Sequence, residues 1–575
     1  MGSAATHHHV SPFRRLVAIL RPEATDIVVV ALFSLVVGIL SLATPIMVEA
    51  LVNTVAFGRY LQPLFVLSIM LFAFLGFAAI LKGLQTYIAE MMQQRIFVRI
   101  VALLAERLPR VNREAFAGGH GPELLNRFFE VFTVQKSAAY LVLDGIAIVI
   151  TALIGMLVLA FYHPFLLGFD LMLVAAVLFA VFALGRGAVG SAIDESYKKY
   201  AVASWLQQLA LYPTTFKAAG GLPRSLDKAD ELAVAYVEAR RVHFRVLFRQ
   251  IAFTLGLQAV AAACLLGIGG FLVINGQLTL GQLVASELIV VVVVSSFAKL
   301  GKHMESYYDL LAACDKLGHL LDLPTERDSG ITPPRQPFGA KVQFHRVQLA
   351  LGEDRRTPEI AMLIEPGERV ALTGPAGSGK SSLLELLYAL QDPAQGYVEY
   401  DSLDLRSVSP SRLREQVALV NNIEIIEGTI AENVHLHRQH VDHQQLRGAL
   451  ETVGLWEEIM ALDDGLETPL PLGGCVLSNS QAIRLMLARA IAGQPRLVLV
   501  DSILDQLSEP HSRQAFDALS PSDRSCTAIL VTSRDSLSEL CDRTISILPA
   551  PPTVPVSDDE PTGERQAPQL NLISV

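Results

Sequence analysis

A chain of 575 residues is too long for one domain, and a mean hydropathy of +0.42 is too high for a soluble enzyme, the more so because the apolar residues crowd into the first half. The formal net charge of −10 says little about partners, since basic residues fill loops between apolar runs while acidic ones populate the second half and the tail, and no nucleic-acid footprint emerges. Five cysteines, Cys264, Cys314, Cys475, Cys526 and Cys541, lie far apart with no C-x-x-C, which argues against a disulfide framework or a zinc site and makes them reduced packing residues.

The N-terminus lacks a cleavable signal. Met1-Gly2 with Thr6 fits a myristoylation pattern and His7 to His9 form a short histidine run, but both patterns arise readily by chance and neither is carried forward. Six apolar stretches follow, near 27–48, 63–81, 140–162, 164–185, 251–274 and 280–298, each long enough for the roughly 20 residues that a spanning helix needs. Short connections join the first to the second, the third to the fourth and the fifth to the sixth. The other two gaps are long and read as helical arms, with Met91, Ile96, Val98, Ile100, Val101 and Leu104 as an apolar pattern in the first. Basic residues such as Arg95, Arg99, Arg107, Arg110, Lys198, Lys199, Arg240 and Arg245 concentrate in these arms, whereas the short connections hold essentially Arg59 alone, so the arms are cytoplasmic.

Within the spans, Asp170 and Glu287 are candidates for function because ionisable groups are costly in lipid. The alternative places Asp170 near the outer interface and gives Glu287 a hydrogen bond to a neighbouring helix. Gly267, Gly269 and Gly270 permit close helix packing. The spans show no cationic cluster for an anionic substrate and no aromatic cage, so the transported species is not defined by sequence.

A Pro-rich stretch at 323–340 has no periodicity and is expected to be a linker between a membrane domain, 1–322, and a second domain, 341–548. Short strands alternating with helices predict a parallel α/β core there, with a helical insertion at about 424–489. The segment 549–575, rich in Pro and Asp, is expected to be a disordered tail. The motif that carries chemistry is Gly374-Pro375-Ala376-Gly377-Ser378-Gly379-Lys380-Ser381, followed by Ser382. It matches G-x-x-x-x-G-K-[ST] in the required context, with the apolar run Val370-Ala371-Leu372 entering as a strand and Leu383 to Leu387 leaving as a helix. Glycines let backbone N–H groups and the helix N-terminus face a triphosphate, Lys380 would bridge its β- and γ-phosphates, and the Ser381 hydroxyl would hold Mg²⁺.

Six spans, two long intracellular helical loops and a C-terminal nucleotide domain resemble the exporter-type ABC half-transporters. The resemblance implies a multi-domain fold: an all-α six-helix transmembrane domain with long cytoplasmic helical loops, followed by an α/β P-loop NTPase (ABC) domain. It also implies ATP and Mg²⁺ as cofactors, a cell-membrane location with the nucleotide domain cytoplasmic, and a homodimer or a heterodimer with a second ABC half-transporter. Gly121-Pro122-Glu123-Leu124-Leu125-Asn126-Arg127-Phe128 and Thr215-Phe216-Lys217-Ala218 look like the family's coupling segments. The run from Gly276 to Leu283 is similar to the branch that secretes proteins and peptides.

Asp501, at the end of Leu497-Val498-Leu499-Val500, matches the family's magnesium aspartate. The next position carries a catalytic glutamate in the family and Ser502 here; a hydroxyl has no basicity at neutral pH, so general-base help worth about 10²–10⁴ in rate is missing. Ser533 stands where the family has a histidine. Leu477-Ser478-Asn479-Ser480-Gln481 replaces the L-S-G-G-Q signature. Asn421 and Asn422 stand in place of a glutamine, and Leu351 falls near the adenine-stacking aromatic. Glu424, Glu427 or Asp505 could substitute as a base, though no spacing brings any of them to the water. Two readings follow: a transporter subunit with weak or absent hydrolysis in its own site, or a pseudo-transporter that uses nucleotide to set conformation.

Overall fold

A computed structural model describes residues 11–57, 61–116, 125–218, 220–352, 355–472, 474, 476–519 and 524–549. The N-terminal myristoylation and histidine patterns, Arg59, residues 121–124 of the first coupling segment, Cys475 and residues 550–575 of the expected tail lie outside this set. The chain divides into two compact units, Met1–Thr325 and Glu326–Val575.

The first unit contains six helices long and apolar enough to cross a membrane, within Pro12–Thr54, Gln62–Arg110, Arg127–Tyr162, Pro164–Ala183, Gly221–Ile274 and Leu280–Leu321. The arms are continuous with the spans: one helix runs 47 residues over Leu61–Arg107 and another 54 residues over Gly221–Ile274. The first span is not one rod. It breaks at Leu42, between the helices Ala24–Ser41 and Ala43–Phe57, because Pro45 has no N–H to give and its ring would meet the Ser41 carbonyl. A π-helical turn, Leu141–Gly145, opens the third span and another, Phe179–Ala183, closes the fourth.

The buried stripe of the first arm keeps three of the six residues expected of it, Ile96, Ile100 and Leu104, and adds Met92. Met92, Ile96, Ile100 and Leu104 are buried against Val131, Val134, Ala138, Cys314 and Leu317, whereas Met91, Val98 and Val101 are exposed. A strict four-residue repeat selects one ridge of the helix, so the neighbours of each buried residue turn outward. Among the described residues Glu287 Oε2 is buried without a hydrogen-bond partner, as are both carboxylate oxygens of Asp170.

The second unit has eleven described strands: β1 Val342–Gln348, β2 Ile360–Ile364, β3 Arg369–Thr373, β4 Gln395–Tyr400, β5 Leu403–Asp404, β6 Val417–Val420, β7 Gly428–Thr429, β8 Pro469–Leu470, β9 Leu497–Asp501, β10 Thr527–Val531 and β11 Arg543–Ser546. They form an antiparallel sheet in the order β2-β1-β4-β5, a parallel sheet in the order β11-β3-β10-β9-β6, and the small pair β7-β8. Burial on both faces explains why β9 and β10 are near-continuous apolar runs. Between β6 and β9 lie the helices Ile430–His435, His443–Thr452, Trp456–Met460 and Asn479–Ala492, packed into one apolar cluster.

Residues 326–340 are tied along this unit. Glu326 takes a two-pronged ion pair from Arg414 at 2.6 and 2.9 Å, and the Gln416 amide donates to the Pro333 carbonyl at 2.8 Å. Arg496, 3% exposed, donates to the carbonyl oxygens of Phe338 and Gly339, to Gln416 Oε1 and to the buried Asp401 carboxylate at 2.5 Å. Removing one member of such a pair strands the other charge in low dielectric. Arg496→Met should therefore destabilise the second unit by about 3–5 kcal/mol, read as a lower denaturation midpoint of the full chain.

Candidate functional site

The parallel sheet gathers the expected nucleotide residues at one edge. β10 lies between β3 and β9, with Val531 in register with both Leu372 and Asp501. The loop after β3, Asp501 with Ser502 after β9, and Ser533 after β10 therefore leave adjacent strands at their carboxyl ends, where open α/β sheets bind ligands.

In the loop after β3, Gly374, Gly377 and Gly379 adopt φ of 139°, 76° and 94°, values that side chains disfavour. A Cβ at Gly374 would stand 2.4 Å from the Ile547 carbonyl oxygen, and one at Gly379 would stand 2.8 Å from Thr357, whereas Gly377 faces open space. Gly379 caps the helix Lys380–Leu387. The Lys380 ammonium folds back over the loop, donating to the carbonyl oxygens of Gly374 at 2.8 Å and Pro375 at 2.9 Å and reaching Ser378 Oγ at 3.4 Å. Pro375, Ala376 and Ser381 are exposed, Ser378 is buried and Ser382 is half-buried. A curled glycine loop with exposed residues, a lysine held among the described residues by loop oxygens, an adjacent Ser381 hydroxyl and Asp501 two strands away form a donor set that fits a triphosphate with Mg²⁺. Leu351 packs beside Gly379, close to where the adenine-stacking residue is expected, and brings no aromatic face.

Ser502 takes a left-handed backbone, φ 55°; its N–H donates to the Val531 carbonyl and its hydroxyl donates to Asp501 Oδ1 at 3.2 Å. Sequence spacing gave no reason to connect Asp505 with Ser533, but the structure brings them together. Asp505 Oδ2 accepts from the Ser533 N–H at 2.9 Å and hydroxyl at 2.8 Å, and Oδ1 accepts from the Thr532 hydroxyl at 2.5 Å. The short helical turn Ile503–Gln506 supplies this carboxylate, four positions after Asp501. Glu424 and Glu427 are exposed, and among the described residues Glu424 hydrogen-bonds through its backbone, its N–H to Met486 Sδ and its carbonyl oxygen from Arg489.

Ser478 caps the helix Asn479–Ala492 by a reciprocal box with Gln481. Gln481 also donates to Glu458, whose carboxyl is held below the usual range chiefly by the Arg484 guanidinium. Asn479 reaches Gln506 at 3.5 Å, and Ser480 Oγ is buried without a partner. These contacts tie the signature-like segment to its own helix, to Glu458 and to Gln506 after β9; among the described residues no hydrogen bond joins it to the glycine loop. Asn421 and Asn422 follow β6, half-buried and exposed respectively. No group of three or more His, Cys, Asp or Glu that could hold a metal ion occurs among the described residues.

Two family models match the chain: ABC transporter transmembrane region over residues 27–203 and ABC transporter over residues 358–504. The chain is 32% identical over 295 residues to an ATP-dependent lipid A-core flippase of Burkholderia pseudomallei, covering 50% of this chain and 49% of that protein. It thus spans about half the length of the flippase relatives it matches. It is 25% identical over 517 residues to the alpha-hemolysin translocation ATP-binding protein HlyB of Escherichia coli O157:H7, covering 88% and 72%. It is also 25% identical over 521 residues to the leukotoxin export ATP-binding protein LtxB of Aggregatibacter actinomycetemcomitans, covering 89% and 73%. A solved bacterial Atm1-family ABC exporter with ATP bound superposes with a TM-score of 0.80 at 19% identity, over 92% of this chain and 94% of that one. ATP with Mg²⁺ is the general cofactor set of such domains, and the chain is a multi-pass membrane protein with its nucleotide domain in the cytoplasm. With a helical membrane region followed by an α/β nucleotide domain, this chain belongs to the ABC transporters and has the architecture of an exporter-type half-transporter.

Proposed function

We propose that this chain is one half of a dimeric exporter of the cell membrane that binds Mg-ATP in the glycine loop and hydrolyses it weakly or not at all in its own site. The observation that carries this reading is the contrast at one sheet edge: a loop shaped for phosphate, with Lys380 and Asp501 in place, beside hydroxyls at Ser502 and Ser533. Bound there with Mg²⁺, ATP supplies a phosphoanhydride bond whose cleavage needs a water relieved of its proton. In this site Lys380 and the loop N–H groups would bind phosphate, and Ser381 and Asp501 would hold the metal.

Among the described residues that follow β9, neither Ser502 nor Asp505 offers an unoccupied base. The Ser502 hydroxyl donates to Asp501, and both oxygens of Asp505 are engaged by Thr532 and Ser533. Asp505 thus holds the loop after β10 in place. The partner, a second copy or another ABC half-transporter, and the transported species belong to this proposal; the flippase and toxin-export relatives support movement of a large substrate.

The purified full chain should bind Mg-ATP, and Lys380→Ala should abolish binding in equilibrium titration. Robust basal hydrolysis, lost in the Lys380→Ala control, would overturn the catalytic part. Ser502→Glu alone should recover less than the full general-base factor of about 10²–10⁴, because Ser533 and Asn479 remain. Asp505→Ala should speed amide exchange at Ser533 and cost about 1–3 kcal/mol without lowering turnover; a fall in turnover would identify Asp505 as the base.

A further inference from the structure

The last strand of the second unit ends against the phosphate loop. β11 is an outer strand of the parallel sheet and runs beside β3, with Ser546 in register with Thr373. One residue further on, the Ile547 N–H donates to the Thr373 carbonyl oxygen at 2.8 Å, and the Ile547 carbonyl oxygen lies 2.4 Å from where a Cβ on Gly374 would stand. Leu548 is exposed there, Pro549 follows, and residues 550–575 leave from this point. The sequence beyond β11 is thus tethered at the mouth of the nucleotide site.

Charge is one-sided on both partners of this tether. Residues 550–557 carry no charge, Asp558-Asp559-Glu560 then sets three carboxylates in a row, and Glu564 and Arg565 beyond them cancel. On the loop side, Lys380 donates to the carbonyl oxygens of Gly374 and Pro375, and among the described residues no carboxylate pairs with it. Arg355 and Arg356 are exposed, without a carboxylate partner among the described residues, and they directly precede Thr357, whose methyl group lies against Gly379. The acidic groups at the same sheet edge, Asp501 and Asp505, come from β9 and the turn after it, two strands from β3 on the side away from β11. The tether therefore leaves from the basic flank of the site. Nine residues carry the chain from Pro549 to Asp558, a reach of at most about 30 Å, which covers a loop that begins in contact with Ile547.

We propose that the acidic run Asp558-Asp559-Glu560 docks on the phosphate loop of its own chain, pairs with Lys380, Arg355 and Arg356, and competes there with the triphosphate. Carboxylates offer this loop what phosphates offer it: oxygen acceptors for backbone N–H groups and negative charge at the N-terminus of the helix Lys380–Leu387. Tethering supplies the run at an effective concentration in the millimolar range. With a dissociation constant of a few tenths of a millimolar for the run itself, apparent ATP affinity is weakened by about three- to tenfold. This device regulates the nucleotide site and rests on the reading that the site binds Mg-ATP.

The test uses the full chain in phosphatidylcholine nanodiscs, titrated with Mg-ATP. Asp558→Asn, Asp559→Asn and Glu560→Gln together, and separately a chain ending at Pro549, should each tighten the apparent affinity by about three- to tenfold. Asp558→Glu with Asp559→Glu keeps the charge and should leave the affinity as it was. In the unaltered chain, zero-length carbodiimide coupling should join the acidic run to Lys380 by an amide bond, seen by mass spectrometry of the peptides, and Mg-ATP should suppress that product. Tighter binding without the cross-link would overturn the docking, because the charges then act through solution. Mg-ATP affinity equal in all forms would overturn this inference alone, whereas failure of every form to bind Mg-ATP would overturn the nucleotide reading and this inference with it.

Discussion

The nucleotide domain depends on one pairing, β10 inserted in parallel between β3 and β9. Because all three strands run the same way, their carboxyl ends converge, and residues more than a hundred positions apart in the chain meet at one edge. Lys380, Asp501 and Ser533 owe their proximity to this ladder. The pairing is buried on both faces, so the site stands on a close-packed floor.

On that floor the phosphate loop and the groups beside it differ in what they offer a nucleotide. The phosphate loop retains the left-handed glycines its curvature requires, and close backbone approach at Gly374 leaves no room for a Cβ. Two strands away, Ser502 is tied to Asp501 through its hydroxyl. At the next strand, Ser533 is bound by Asp505 through both its N–H and its hydroxyl. Binding and bond cleavage call on different residues, which lets one persist without the other. The signature-like helix shows the same pattern: its capping box is complete, but side chains at Asn479 and Ser480 occupy a turn where glycines would let backbone approach phosphate.

Much of this was legible in the chain because the signals were contiguous. The glycine loop between a strand and a helix occupies eight consecutive positions, and six apolar runs of spanning length announce themselves. The helix break at Leu42 could have been read from Pro45. Contacts that depend on distant register were not legible. The buried ridge of the first arm takes Met92 and not Met91 because packing against Val131 and Leu317 selects the four-residue row. Asp505 and Ser533 are joined only through β9 and β10. Ile547 meets Gly374 only because β11 pairs with β3, a register that no local pattern announces.

The central claim is that nucleotide is held at this sheet edge without being broken, and a single-turnover experiment on the purified full chain addresses it most directly. Radiolabelled Mg-ATP is bound at less than one equivalent, excess is removed, and the retained nucleotide is identified after timed acid quench. Recovery as intact ATP over many minutes is the predicted result. Recovery as ADP at a rate on the order of 1 s⁻¹ or faster, as in a competent enzyme, would contradict it.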